Sequence, residues 1–349
     1  MSDVILEEKE IAAVNTEELK PPKKSFWKGF FSVFGKVMSC FGAFILTVLI
    51  TAYAAGCLIC YGPSPAAKDF FVLTVTETSA LKFLANVYLP QAEIDEIIAG
   101  SEEMGGGEIT EPPVIPETPP AEGEPIEIIT VKGDLYVGKL MIIKDPSRVS
   151  IYSIDKFDVE GRGETLMEIY NKTGAIAAIN AGGFYDPQGV SDGGMPLGYV
   201  FRDGKLVSFL ASKYDTIIGF DADHRLIIGR MKAKDALAKG IVDAVSFGPA
   251  LVVNGNRAKI TSNGALHPRT AIGQRADGAI MFLVIDGRQP HSIGISHKGL
   301  QDLMIEYGAI NAANLDGGSS SMMIYQGEYL NKHSSVTGPR PIPTAFIIK

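Results

Sequence analysis

Thr270-Ala-Ile-Gly-Gln-Arg-Ala-Asp-Gly-Ala-Ile-Met-Phe-Leu-Val-Ile-Asp-Gly-Arg288 carries the fold of the C-terminal two thirds of the chain. Two apolar runs, Thr270–Gln274 and Ala279–Ile285, are joined as a hairpin through Asp277-Gly278, a dipeptide common in hairpin turns. Outward from it the same pattern recurs. Leu135–Ile143 and Val149–Ile154 read as strands. Tyr199–Val207 reads as a hairpin about Asp203-Gly204, and another hairpin is expected at Asp221–His224. After Glu127 helical segments are fewer than strands, at Thr165–Lys172, Met231–Lys239 and His297–Tyr307. The expected fold class is α+β, a strand-rich mixed domain with a few helices, preceded by one transmembrane helix.

The apolar content is unevenly placed. No charged residue occurs between Val37 and Ala67, a stretch that includes Phe41-Gly-Ala-Phe-Ile-Leu-Thr-Val-Leu-Ile50. About 20 such residues cross a bilayer as a helix. Lys20, Lys23, Lys24, Lys28 and Lys36 precede it, which by the positive-inside rule leaves the N-terminus cytoplasmic and the remainder outside. A cleaved signal peptide is the competing reading, but some 36 residues before the apolar run is long for its n-region. Ala54-Ala-Gly-Cys57 faintly resembles a lipoprotein cleavage box. The three cysteines, Cys40, Cys57 and Cys60, all lie in this segment, so the outer part has no disulfide and depends on a packed core.

The organisation read from composition is a cytoplasmic tail (1–36), a membrane anchor (37–61) and a helical stalk (62–100). A Pro/Glu/Gly-rich linker (101–126) and a catalytic domain (127–349) follow. The stalk has apolar positions at Leu81, Leu84, Val87, Ile94, Ile97 and Ile98, consistent with a helix pair, and could instead recruit a partner. The linker, with Glu111-Pro-Pro-Val-Ile-Pro-Glu-Thr-Pro-Pro120, has too little apolar surface to fold alone. A net charge of −8 argues against a nucleic-acid partner.

Four segments share one style, an apolar strand followed by a polar residue and glycines. They are Asn180-Ala-Gly-Gly-Phe-Tyr185, His267-Pro-Arg-Thr-Ala-Ile-Gly273, Val284-Ile-Asp-Gly-Arg288 and Asn314-Leu-Asp-Gly-Gly-Ser-Ser-Ser321. Glycine lets backbone approach a ligand closely, and successive N–H groups can cradle an anion. A repeat is also visible. Leu166-Met-Glu-Ile-Tyr170, Gly174-Ala-Ile176 and Asn180-Ala-Gly-Gly183 parallel Leu303-Met-Ile-Glu-Tyr307, Gly308-Ala-Ile310 and Asp316-Gly-Gly318. Either two helix–strand units coincide by chance, or a duplicated half-domain brings two glycine-rich loops to one site.

These motifs, with Gly194-Met-Pro-Leu-Gly198 between them, resemble the phosphodiester glycosidase family in identity and order over about Leu135–Lys349. The resemblance implies a hydrolase that cleaves a sugar, of N-acetylglucosamine type, from a phosphodiester at its anomeric carbon. No metal or other cofactor is expected, since the sequence has no H-x-x-x-H spacing near an acidic ligand and no EF-hand-like loop. The substrate expected is a sugar-phosphodiester linkage of cell-envelope glycans or anionic polymers. A non-catalytic glycan-binding or exopolysaccharide-assembly protein is the alternative.

The residue chemistry agrees with that class. Arg269 is the first candidate to hold the phosphate through a bidentate fork, with Arg288 and Arg340 behind it. Asp316 is the candidate nucleophile or base and Asp286 the assisting carboxylate, the order being reversible. Asn180, Gly182, Gly183 and His267 are assigned to substrate, as are Gly317, Gly318, Ser319 and Ser320, with the Gly317 and Gly318 amides on the phosphate. A serine triad from Ser319–Ser321 with His267, His291, His297 or His333 is a rival, although no nucleophile-elbow sequence is present.

Overall fold

The computed structural model describes residues 24–76, 81, 83–102, 109–111, 125–187, 191–212, 214–260, 265–335 and 337–349. They fall into two compact units, divided between Pro63 and Ser64. In the first, α1 (Lys24–Tyr61) contains Gly29–Tyr61, among the described residues the one helix long and apolar enough to cross a membrane. Its 33 residues would measure about 50 Å, more than the ~30 Å hydrocarbon core requires. Phe34, Phe41, Leu49 and Leu58 stand exposed along it, as on a helix with no protein core of its own.

The second unit opens with three helices, α2 (Pro65–Thr76), α3 (Phe83–Tyr88) and α4 (Gln91–Glu102). The pair expected from sequence has a third partner. Because α2 packs against both others, the buried positions are Val72, Ala85, Leu89 and Ile94, whereas Leu81 and Val87 are exposed. Phe71 meets Tyr88 edge to face at 5.7 Å, and Lys68 pairs with Glu93 at 2.7 Å.

Most of the Pro-rich run lies outside the described residues, but Ile109–Glu111 is anchored. The Thr110 N–H donates to Ile228 O at 2.9 Å, and its hydroxyl accepts from the Ile228 N–H at 2.8 Å. The Glu111 N–H donates to Asn254 Oδ1 at 2.7 Å.

The strand-rich part contains three sheets. The largest has seven strands, ordered β1 (Ile126–Lys132), β2 (Val137–Ile143), β13 (Ile280–Ile285), β12 (Arg269–Arg275), β14 (Ala309–Leu315), β10 (Ala250–Val253) and β11 (Asn256–Arg257). A second runs β16 (Glu328–Tyr329), β15 (Met323–Tyr325), β4 (Ala177–Asn180), β17 (Thr344–Ile348), β3 (Val149–Ser153). The third runs β6 (Lys205–Leu210), β5 (Gly198–Arg202), β9 (Ile241–Phe247), β7 (Thr216–Asp221), β8 (Leu226–Arg230). Three further helices are α5 (Leu166–Thr173), α6 (Ala233–Ala238) and α7 (His297–Glu306).

Local chemistry sets these boundaries. The β5–β6 hairpin turns through Asp203 (φ 52°) and Gly204 (φ 71°), the doubly positive pair its short turn demands. Thr165 begins α5 with a complete capping box to Glu168, and Gly174 closes it in the left-handed region.

Strand alternation divides the core. On β13, Ile280, Phe282 and Val284 face a cluster shared by all three sheets, while Met281, Leu283 and Ile285 face a second cluster under α7. Both faces of this strand are covered, which is why its sequence is continuously apolar. In the shared cluster Phe346 of β17 meets Phe220 of β7 at 5.9 Å and Phe282 of β13 at 6.3 Å, joining the three sheets. Phe346→Ala should therefore destabilise Ser64–Lys349 by about 3–5 kcal/mol, read as a lowered urea midpoint of the full chain. A loss below about 1 kcal/mol would show that the sheets do not share one core.

Candidate active site

Strand register gathers the chemistry. Arg269 opens β12 opposite Ile285, the last residue of β13, and Thr270 lies opposite Leu315, the last of β14. The residues just beyond these strands, Asp286 and Asp316, therefore leave the large sheet at the same end as Arg269. The second sheet meets them there. The Asp316 N–H donates to Ala181 O at 3.0 Å, and the Asn180 amide, ending β4, donates to Asp316 O at 2.6 Å. Whatever the origin of the two similar helix–strand units, their Gly-Gly loops converge.

Beside that junction lies a cleft of about 790 Å3, toward the upper part of the ~300–1,000 Å3 common for small-molecule sites. Asp316–Ser320 form part of its floor, and Arg269, Arg288, Arg340 and His267 bring cationic or titratable groups into it. Tyr214 and Phe247, stacked at 4.4 Å, line one part. Leu73, Ile94 and Ile98 of the N-terminal helices line another. Gly183 borders the cleft because only a hydrogen fits. A Cβ there would come within 2.8 Å of the Phe247 ring.

Asp316 is the electrostatic centre. Burial raises its pKa to about 6, against the opposing pull of a Ser320 hydroxyl bond, the Arg340 charge and the Gly317 N–H, which donates to its Oδ1 at 3.0 Å. Asp316 is thus mostly ionised at neutral pH yet more basic than an ordinary carboxylate. Arg340 is held by Asp186 Oδ2 at 2.8 Å and Ser191 O at 3.0 Å. Its guanidinium lies 4.8 Å from the Phe184 ring centre and reaches Ser319 Oγ at 3.4 Å. Both members of the Arg340–Asp186 pair are well buried, at 16% exposure each, so water screens their charges less than on an open surface. Arg288 adopts φ 57°, with a nitrogen 3.4 Å from His267 Nδ1. Arg269, nearly buried, donates to Ile295 O at 3.4 Å and Ala265 O at 3.3 Å.

Among the residues singled out from sequence, Gly183, His267, Arg269, Arg288, Asp316, Gly317, Gly318, Ser319, Ser320 and Arg340 line this cleft, whereas Asn180, Gly182 and Asp286 do not. Asn180 is buried and fully engaged inside the protein. Its Oδ1 accepts from the Thr270 hydroxyl at 2.9 Å and the Met322 N–H at 3.1 Å. Gly182 packs against Val245 and donates its N–H to Thr344 Oγ1 at 3.2 Å.

Asp286 is buried in a separate network. It meets His291 Nε2 at 2.9 Å and accepts from the Lys332 N–H at 2.9 Å and the Asn331 amide at 3.3 Å. The Gly317 and Gly318 amides expected on phosphate already have acceptors, Asp316 Oδ1 and Pro268 O. The serines differ from a triad arrangement too, since Ser320 bonds Asp316 and Ser319 accepts from Arg340.

The sequence reading passes over Asp186 and the residues of α2–α4. Asp186 follows directly on the Asn180–Tyr185 motif, so a carboxylate adjoining a glycine loop is the signal that could have found it.

Comparison with known proteins gives a consistent picture. Residues 173–349 match the family model described as phosphodiester glycosidase. The chain is 32% identical over 182 residues to the SPbeta prophage-derived uncharacterized protein YomE of Bacillus subtilis, covering 49% of this chain and 27% of that protein. It is 24% identical over 185 residues to the Bos taurus N-acetylglucosamine-1-phosphodiester alpha-N-acetylglucosaminidase, covering 48% and 34%. The matches thus span about a third or less of those curated relatives. The fold is similar to that of the zebrafish enzyme of the same name, solved as a catalytic domain auto-inhibited by its pro-peptide. The TM-score is 0.55 at 21% identity, with 69% of this chain and 87% of that one covered.

The raised pKa of Asp316 has a sign that stability reports. Its folded value exceeds the unfolded one near 3.8, so stability is fully present below pH 4 and is lost as pH rises to about 6. Asp316→Asn should abolish this loss, making the variant about 3 kcal/mol more stable at pH 8 and no more stable near pH 4. Thermal melts across pH 4–8 check it, and parallel curves for the two proteins would contradict a raised pKa.

Proposed function

We propose that this chain, which belongs to the phosphodiester glycosidase family, hydrolyses a sugar-1-phosphodiester to free sugar and a phosphate monoester. The observation that carries the reading is the presence of Asp316, its pKa raised to about 6, in the same cleft as Arg269, Arg288 and Arg340. A carboxylate with a pKa near 6 suits a general base at neutral pH, and guanidinium groups suit a phosphate.

In this mechanism Asp316 takes a proton from water as the water oxygen bonds to the anomeric carbon. The bond from that carbon to the phosphate oxygen breaks, and its electron pair stays on that oxygen. A phosphate monoester is a much weaker base than a sugar alkoxide, so departure needs little acid assistance. Charge stabilisation by the arginines takes its place. Asp186 positions Arg340 at 2.8 Å, and it is the second carboxylate of the cleft. Asp286 is assigned to bracing the Asn331 side-chain amide and the Lys332 backbone N–H beside the site, since its Oδ1 accepts from both.

The setting follows from the N-terminal part. Gly29–Tyr61 serves as a single-pass membrane anchor, with the lysines before it cytoplasmic and the catalytic part extracytoplasmic. Envelope glycans or anionic envelope polymers are the substrates within reach.

The test uses the full chain in detergent with N-acetylglucosamine-1-phosphate esterified to a simple alcohol, following sugar and phosphomonoester together. Wild type should release both, and kcat/KM should fall with unit slope below about pH 6. Asp316→Asn should lower kcat by about 10²–10⁴-fold with little change in KM. Binding without release across a panel of sugar phosphodiesters would establish a non-catalytic glycan-binding protein instead.

A further inference from the structure

Asn314 lines the cleft, and nothing in the proposed chemistry uses it. It lies near the end of β14 at 1% exposure, two residues before Asp316. Its backbone N–H donates to Pro249 O at 2.9 Å, and its side-chain amide donates to Gly248 O at 2.8 Å. The second bond fixes which way the amide faces. Turned over, its oxygen would meet the Gly248 carbonyl, two acceptors with no proton between them. In the orientation that remains, Oδ1 is shielded from water and has no hydrogen-bond partner among the described residues. A buried acceptor in that condition costs free energy until a donor reaches it, and in a lining residue the donor belongs to a ligand.

The neighbours of Asn314 say which part of a substrate supplies that donor. Phe247 directly precedes Gly248, and its ring stacks on Tyr214 in the lining of the same cleft. Gly183 closes against the Phe247 ring, and Ala181, two residues earlier, accepts from the Asp316 N–H at 3.0 Å. Asn314, Phe247, Gly183 and Asp316 thus enclose one part of the cleft. Residues two apart on extended chain project to the same side, and their Cα atoms are at most about 7 Å apart. An acceptor so near the base that acts at the anomeric carbon meets the substituent on the adjoining ring carbon. The ring oxygen and the phosphate ester oxygen also adjoin the anomeric carbon, but both are acceptors and offer Oδ1 nothing. An acetamido group fits both features. Its N–H is a donor, and its methyl suits the aromatic pair, which a bare hydroxyl would leave without an apolar partner.

We infer that Asn314 is the specificity-determining residue for the substituent beside the anomeric carbon, and that the substrates are phosphodiesters of 2-acetamido sugars. This inference rests on the glycosidase reading. The acetamide N–H donates to Asn314 Oδ1, and the acetyl methyl lies against Phe247 and Tyr214.

The experiment gives the full chain in detergent the ethyl phosphodiesters of two sugars, N-acetylglucosamine and 2-O-acetylglucose, each linked through its anomeric phosphate. The second replaces the amide N–H by an ester oxygen and keeps the shape, so only the donor is lost. Wild type should favour the amide in kcat/KM. Asn314→Leu and Asn314→Ser, each checked by thermal melt, should reduce that preference by at least about tenfold, the effect of one buried hydrogen bond. The differing intrinsic reactivity of the two sugars cancels when the same pair is compared across proteins. A residue that merely braced Gly248 would slow both compounds alike. Hydrolysis with an unchanged preference in the folded variants therefore overturns the inference and leaves the glycosidase reading standing. If neither compound is hydrolysed, the glycosidase reading alone has failed, and calorimetric titration of wild type decides, as it does if neither variant folds. Tighter binding of the amide supports the subsite, and equal binding of the two compounds removes it.

Discussion

A single buried amide holds the active site together. Asn180 ends a strand of one sheet and reaches the backbone of Asp316, just past a strand of another, at 2.6 Å. Its oxygen takes hydrogen bonds from Thr270 on β12 and from Met322 ahead of β15. Four chain segments therefore share one side chain at 1% exposure, where any unmade bond would carry its full desolvation cost of about 1–3 kcal/mol. The carboxylate of Asp316 owes its position to this bracket and to its own N–H bond to Ala181. If those bonds were lost, the two sheets would still pack, but the candidate base would no longer be fixed.

The surrounding electrostatics follow from that placement. Desolvation at this partly buried position pushes the carboxylate toward its neutral form, and the Ser320 hydroxyl, Arg340 and the Gly317 amide keep it ionisable near pH 6. Arg340 is itself fixed by Asp186, Ser191 and the Phe184 ring, so its charge is already oriented before a substrate arrives. The stacked Tyr214–Phe247 pair and the helical wall cover other sides of the same space. Such an enclosed, oriented set of charges is suited to a reaction whose leaving group is an anion.

Much of this was legible in the sequence because it is local. Asp-Gly turns marked the β5–β6 and β12–β13 hairpins, and Thr165 with Glu168 marked the start of α5. Asp316 and Arg288 stood beside glycines just past strand ends, and they line the cleft together with Arg269 and Arg340. What was not legible depends on long-range partners. Asn180 and Asp316 look alike in sequence, each a polar residue opening a Gly-Gly loop. Only sheet pairing turns one amide inward and leaves the other residue's carboxylate at the cleft.

Asp286 follows an apolar strand just as Asp316 does, yet the Asn331 side-chain amide, the Lys332 N–H and His291 claim its oxygens. The Pro-rich run gave no sign that Thr110 would pair with Ile228, since an edge-strand contact of so few residues has no periodicity. The helices after Tyr61 read as a stalk because their own pattern does not reveal the cleft they line.

The central claim is that water, activated by Asp316, attacks the anomeric carbon rather than phosphorus. Hydrolysis of a sugar-1-phosphodiester in water enriched in oxygen-18 tests this directly, with the phosphate monoester analysed by mass spectrometry. Attack at carbon leaves the phosphate monoester unlabelled and puts the heavy oxygen on the sugar, which is the predicted result. Label in the phosphate monoester would mean that the phosphorus–oxygen bond breaks, and that the cleft is a phosphodiesterase site rather than a glycosidase site.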